Sequence, residues 1–503
     1  MINKFSILKE KKTIFWVFGI FLLLEALSFF SFYLAELNII IFFVIVVLVL
    51  VLGIYKLRWA FYLVLGELFF NSMGYIFFLE IGDFKISLRI ALWLVIMLIW
   101  AGKFILEFFK DRRVLWQKYL KMPYLKYFLV LLFFIAFGLI YGLIKNNFSD
   151  AFFDFNAWLY FLLIFPLWHI LSFLDSEKKE KFYQNIIVIF ISAVLFLVFE
   201  SLLLLFLFSH NVSFLLDLYH WVRDYRLGEI TAMSGGFYRV FLQSQIFVLL
   251  SWLIFLPVFN NLKNRKNIIW LLLFLSLLSS ALILSFSRSF WLAGFLSFGL
   301  MLIILWRKNN FRTMLKSFCL GVVSLLLGFL FVFLVVKFPW PDPMANFDLN
   351  LISERAKILK SDEAAVSSRW ALLEVMKDDL SANFLLGRGF GARLEYKSSD
   401  PRVLENSADG VYSTYAFEWG WFDIWLKLGL LGVLSYILLL YFFLKEAGLN
   451  FFKNNDYWYL GLGLGIISLM AVNFFTPYLN HPLGIGFIVF IFLLFGSKSN
   501  NNE

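Results

Sequence analysis

The chain has 503 residues, of which 62% are hydrophobic, 21% aromatic and only 16% charged, with a mean hydropathy of +0.84. Soluble domains run at about half apolar and a quarter charged, so no ordinary core absorbs this composition and the chain reads as a polytopic membrane protein. Its formal net charge of +10 then belongs to loop residues that set topology and meet anionic lipid, which excludes nucleic acid as the partner.

Apolar runs of about twenty residues cross a hydrocarbon core. In chain order they fall at 13–35, 37–55, 59–80, 88–109, 124–145, 152–174, 183–209, 237–259, 268–286, 288–306, 317–337, 423–445, 457–475 and 482–496, about fourteen spans in all. The first run is too long for a cleaved signal and leads straight into a second span. Basic residues orient the stack. Lys4, Lys9, Lys11 and Lys12 precede the first span, and alternate loops carry Lys56 and Arg58; Lys110, Arg112 and Arg113; Lys178, Lys179 and Lys181; Lys263, Arg265 and Lys266; Arg307, Lys308, Arg312 and Lys316; Lys445 and Lys453; and Lys498. By the positive-inside rule both termini are expected in the cytoplasm.

That orientation puts the two long connections, 210–236 and 338–422, on the outer face. The second is the only stretch that reads like soluble protein. Within it, 350–380 has helical spacing of Leu351, Ile352, Ala356, Ile358, Leu359, Trp370, Leu372, Leu373 and Met376. It is either a cap on the bundle or a substrate-binding element. Cys319 stands alone, so disulfides play no part. His169, His210, His220 and His481 have no ligand spacing, so neither a metal nor another cofactor is expected.

Arg288 interrupts what is otherwise almost continuous apolar sequence, in Ser285-Phe286-Ser287-Arg288-Ser289-Phe290-Trp291. Charge at membrane depth is costly enough to point to function. The topology places Arg288 at the outer interface, and Arg239, in Gly235-Gly236-Phe237-Tyr238-Arg239, at the outer end of span 237–259. Guanidinium holds phosphate through a two-pronged fork, so a pair suits a diphosphate. Interface snorkelling, or a salt bridge to a loop carboxylate, is the alternative. Glu25, Glu67 and Glu200 lie inside spans, where carboxylates mark ion pathways or bond between helices. Gly387-Arg388-Gly389-Phe390-Gly391 is similar to a phosphate-cradling loop but follows no strand, which favours a flexible turn. His481 is a candidate base in a short outer turn. Glu418 and Asp423 flank the start of span 423–445 and suit either deprotonation of a sugar hydroxyl or a helix-dipole role.

Four segments between about 230 and 440 together resemble the bacterial O-antigen polymerase and O-antigen ligase superfamily of membrane enzymes. They are Tyr238-Arg239 with Phe241; the Ser285–Trp291 segment; Ser368-Arg369-Trp370 through Gly387–Gly391; and Glu418 through Gly429-Leu430-Leu431-Gly432. The resemblance implies a membrane-embedded (GT-C-like) glycosyltransferase architecture, all-α apart from loops, with one large outer loop. It implies metal-independent glycosyl transfer on the outer face of the cytoplasmic membrane. The donor would be a glycan on undecaprenyl diphosphate, and the acceptor a glycan or lipid-glycan. Arg239 and Arg288 match the family's diphosphate-binding arginines and Arg369 is a third match, with Tyr238, Asp423 and His481 as further substrate contacts. Where the ligase branch carries a histidine before the Gly-Leu-Leu-Gly helix, this chain has Glu418. That departure counts against a lipid A-core ligase and leans toward a polymerase, or a ligase that uses a carboxylate base. A transporter or flippase of the same lipid-linked glycan, built on the intramembrane carboxylates, is the other class of function the residues allow.

Overall fold

The computed structural model describes residues 10–82, 84–347, 364–398, 401–405, 407 and 409–496. Lys4, Lys9, Lys498 and the 350–363 part of the expected amphipathic helix lie outside the described residues. In chain order the elements are α1 Lys11–Tyr33, α2 Ala35–Tyr55, α3 Leu57–Phe70, β1 Phe78–Ile81, β2 Phe84–Ser87, α4 Leu88–Lys110, α5 Arg112–Leu120, α6 Leu125–Lys145, α7 Phe148–Phe155, α8 Ile164–Phe173, α9 Ser176–Ser209 and α10 Leu215–Asp224. They continue with β3 Gly228–Ala232, β4 Tyr238–Leu242, α11 Ile246–Phe255, α12 Arg265–Leu284, α13 Arg288–Lys308, α14 Phe311–Val336, α15 Ala364–Ala382, β5 Leu394–Lys397, α16 Pro401–Leu404, β6 Val411–Thr414, α17 Gly420–Asn454, α18 Tyr457–Val472 and α19 Pro482–Gly496. A 3-10 turn, Asn156–Leu163, joins α7 to α8.

The protein is a polytopic, mostly helical membrane protein. Among the described residues eleven helices, counting α7 to α8 as one and α11 with its flanking turns as one, are long and apolar enough to cross a membrane. The segments expected at 59–80, 457–475 and 482–496 form shorter helices of 14, 16 and 15 residues. Lys308 donates to the carbonyls of Phe451 and Phe452, Lys11 lies over Trp270, and Lys103 donates to Ile54 O. Each of these contacts ties a lysine of one helix to the end of another.

Two expected helices are cut short by hairpins. The 59–80 run is helical only to Phe70, and β1 then pairs antiparallel with β2. The break is affordable in apolar surroundings because Arg89 satisfies the released carbonyls, Nη1 on Ser72 O (2.9 Å) and Nη2 on Asn71 O (2.6 Å). The same guanidinium pairs with Glu67 at 3.1 Å. The 237–259 run likewise opens as strand β4, paired with β3, and turns helical only after Leu242.

The third irregularity is α17, which is bent at Gly429 (φ 72°, ψ 175°). The bend admits the chain from Phe384 to Arg388. Leu430 N donates to Phe384 O (3.0 Å), Leu431 N to Leu385 O (3.4 Å), and Arg388 N to Leu426 O (2.6 Å). The helix thus exchanges internal hydrogen bonds for bonds to the inserted loop, as backbone in apolar surroundings requires. A Cβ at Gly429 would collide with the Leu385 carbonyl, and its positive φ disfavours any other residue. Gly429→Ala is expected to cost about 1–3 kcal/mol, measured as a lower thermal unfolding midpoint of the purified protein. An unchanged midpoint would mean that the loop is not seated in the bend.

Candidate functional site

The turn between α12 and α13 is built around its signature. Phe286 takes a left-handed φ of 45°, uncommon for a bulky residue. It is held there by burial against Phe237 and Trp291, with ring centroids 5.5 and 5.6 Å away. The Ser285 hydroxyl donates to Leu282 O (2.7 Å) and accepts from Ser287 N (3.3 Å). Arg288 is therefore delivered as the first residue of α13.

Arg239 reaches the same turn from a different element. On β4 it stands opposite Thr231, and its Nε donates to Ser285 O at 2.7 Å. Its guanidinium lies 4.8 Å over Phe241 and 3.7 Å from the Glu229 carboxylate. The structure brings the two arginines to one turn, with Arg239 on a strand and not at the head of the expected helix. Beside them the hydroxyls of Ser287, Ser289 and Thr476 form a row, with separations of 3.1 and 3.2 Å. Tyr238 pairs with Ala232 across the hairpin and packs on Phe208.

The end of the large connection supplies a second cluster. Arg369 on α15 and Glu418 form an ion pair, and Trp419 Nε1 donates to Arg369 O at 2.9 Å. A small apolar cluster of Leu372, Met376, Leu380, Leu394, Phe417 and Leu426 fastens α15 to the start of α17. Asp423 is not at the surface; only 1% of it is exposed. It pairs with Lys427 at 2.5 Å and accepts a hydrogen bond from Asn480. Lys427, itself 3% exposed, also pairs with Asp154 of α7 at 2.5 Å. This buried trio was not legible as a site. The Asp423–Lys427 spacing of four is the signal that points to it, since i and i+4 share a helix face.

The glycine segment 387–391 is neither a phosphate cradle nor a loose turn. Its amides are committed to protein acceptors: Gly387 N to Asn383 O, Arg388 N to Leu426 O, Phe390 N to Gly138 O, and Gly391 N to Asp154 Oδ2. Gly389 lies against Gly142 of α6 so closely that a side chain on it would strike the helix backbone. Arg388 pairs with Asp379, and Arg393 grips Asp150 with two bonds of 2.6 and 2.8 Å.

The segment 473–481, between α18 and α19, ties the two clusters together. Thr476 contacts Ser289, Phe475 lies 5.8 Å from Trp419, and Asn480 reaches Asp423. His481 takes a structural part, with Nδ1 accepting from Leu483 N at 3.3 Å. Loss of water around the imidazole, with Arg89 adding to it, pushes its pKa down to about 3. Of the intramembrane carboxylates, Glu67 holds Arg89 and Asn71, while Glu25 and Glu200 are buried where α1 packs on α9.

Residues 271–437 match the family model described as O-antigen ligase. That stretch, about a third of the chain, is similar to the O-antigen polymerase and ligase superfamily. No curated protein matches the chain. The O-antigen ligase region contains Arg288, Arg369, Glu418, Asp423 and Lys427, while Tyr238, Arg239 and His481 lie outside it. The family's chemistry is glycosyl transfer of the O-antigen ligase and polymerase type, on lipid-linked glycans within a membrane.

Two outcomes are expected from this geometry. Lys427→Met leaves two buried carboxylates without a counter-charge and should cost about 3–5 kcal/mol. Adding Asp154→Asn and Asp423→Asn should restore most of the unfolding midpoint, and a normal midpoint for the single variant would rule out the trio as a structural charge cluster. For His481 the unfolded chain takes up a proton before the folded one does. Stability that depends on it is present above about pH 6.5 and lost as pH falls toward 3. The midpoint difference between wild type and His481→Gln should therefore shrink between pH 7 and pH 5; a constant difference would contradict the neutral imidazole.

Proposed function

We propose that this protein polymerises or ligates a glycan carried on undecaprenyl diphosphate, at the outer face of the cytoplasmic membrane, with both termini in the cytoplasm. Polymerisation is preferred over transfer to lipid A-core. The single observation that carries the reading is the bond from Arg239 Nε to Ser285 O, which draws a guanidinium from the β3–β4 hairpin to the turn that presents Arg288. Two arginines brought to one turn match a diphosphate, whose charge grows as it leaves.

In this mechanism Arg239 and Arg288 hold the diphosphate without a metal ion. The oxygen of an acceptor hydroxyl bonds to the anomeric carbon. The bond from that carbon to the diphosphate oxygen breaks, and its electron pair leaves on the diphosphate. The hydroxyl proton passes to Glu418, whose partner Arg369 orients the carboxylate and helps bind the acceptor. Tyr238 lines the arginine turn on the hairpin side. The preference for polymerisation rests on Glu418 standing where the ligase branch carries a histidine; His481 does not replace it, because its Nδ1 is occupied by Leu483 N.

The test is reconstitution with an undecaprenyl-diphosphate-linked glycan and separation of products by size. Arg288→Ala and Arg239→Ala should each lower kcat/KM by roughly 100-fold or more, the scale for losing one preorganised charge-stabilising group. Arg288→Lys should recover part of it, since charge is kept but the fork is lost. Glu418→Gln should slow transfer while leaving donor binding intact. A wild-type product ladder from Arg288→Ala would sink the assignment.

A further inference from the structure

An exposed row of aromatic rings runs beside the Arg369–Glu418 pair. Trp370 and Trp419 have ring centroids 5.7 Å apart, and Trp419 and Phe475 are 5.8 Å apart, at tilts of 58° and 49°. The middle ring is fixed, because Trp419 Nε1 is bonded to Arg369 O. The outer two are open, with Trp370 56% and Phe475 38% exposed.

Most exposed aromatics in this protein need no such explanation. Phe109, Phe133 and Trp306 sit on membrane-length helices, where lipid is the expected cover. Trp370 is different. It lies on α15, which is not among the membrane-length helices. Leu372, Leu373, Met376 and Leu380 form the buried face of α15, whereas Trp370 shares the open face with Glu374 and Lys377 at helical spacing. A tryptophan among charges on the water-facing side of an amphipathic helix loses hydration cost only when something packs on it.

We infer that Trp370, Trp419 and Phe475 form the platform on which pyranose rings of the acceptor glycan lie, with Arg369 and Glu418 engaging their hydroxyls. A pyranose has an apolar C–H face, which packs on the electron-rich face of an aromatic ring. Its hydroxyl edge needs both donors and acceptors, and a half-exposed guanidinium–carboxylate pair supplies both. The occupant is thus a sugar rather than a lipid tail, which has no use for the charged pair. This assignment rests on the transferase reading above and names the acceptor side of it. It also gives the contact between segment 473–481 and Trp419 a purpose, since the same segment touches Ser289 beside Arg288.

The test uses the full chain in lipid nanodiscs. The probe is the oligosaccharide released by mild acid from the lipid-linked glycans of the cells that make this protein. Equilibrium binding should weaken by at least about ten-fold in Trp370→Ala and in Phe475→Ala, with Trp370→Phe retaining most of the affinity. Trp306→Ala, at the far end of α13, should bind as wild type. With lipid-linked substrate, Trp370→Ala should raise the KM for the acceptor and spare kcat. The platform is overturned if wild type binds no oligosaccharide, if Trp370→Ala binds normally, or if Trp306→Ala loses as much. Binding that depends on Trp370 without any transfer by wild type would instead overturn the transferase reading and leave the platform standing.

Discussion

One ammonium group in an apolar interior governs how this protein is put together at its candidate site. Lys427 lies in surroundings that exclude water, and a charge there must be neutralised by neighbours or not exist. Its neighbours are Asp423, one turn back on the same helix, and Asp154, on a helix more than two hundred residues earlier. Asp154 also accepts from Gly391 N, and Asp423 from Asn480. Four segments distant in sequence thus meet at one charge. The first part of α17 is held in place, and Glu418 and Arg369 with it.

The same constraint recurs wherever the helical pattern fails. At the end of α3 the freed carbonyls are taken by Arg89, whose own charge is met by Glu67. At Gly429 the freed amides are taken by the inserted loop. Broken helices often line ion or substrate pathways in transporters, but here the break in α17 is filled by protein backbone. Glu67 in particular is bound on both oxygens, by Arg89 and by Asn71. Of the carboxylates that kept a transport reading open, Glu67 is thus a structural contact between helices.

Much of this was legible because hydrophobic length is a strong signal: most expected spans coincide with helices to within a few residues at each end. The hairpins were not legible. Phe78–Ile81 and Tyr238–Leu242 are apolar enough to continue a helix, and only tertiary partners make the strands affordable. Arg239 and Arg288 were recognisable as a pair from charge and position. The bond that unites them uses a backbone carbonyl, which no side-chain pattern reports. Glu418 and Arg369 were each singled out, and their pairing needed the fold. Lys427 and Asp154 are harder to read, because the ion pair that joins them spans two helices far apart in sequence. Segment 473–481 carries little charge, and its role comes wholly from where it lies.

The large connection is fastened at both ends by backbone bonds. Near its start, Met344 N bonds to Ser209 O and Asn346 N to Gly235 O; near its end, the Phe384–Arg388 insertion locks into α17. These anchors draw on main-chain groups and glycines rather than on the side chains between them. Side chains between the anchors add to the hold, with Leu372, Met376 and Leu380 packed in one cluster with Leu426 of α17. The break in a membrane-length helix is thus also the point at which the connection is secured, so that one glycine sets both the bend and the seat of the loop.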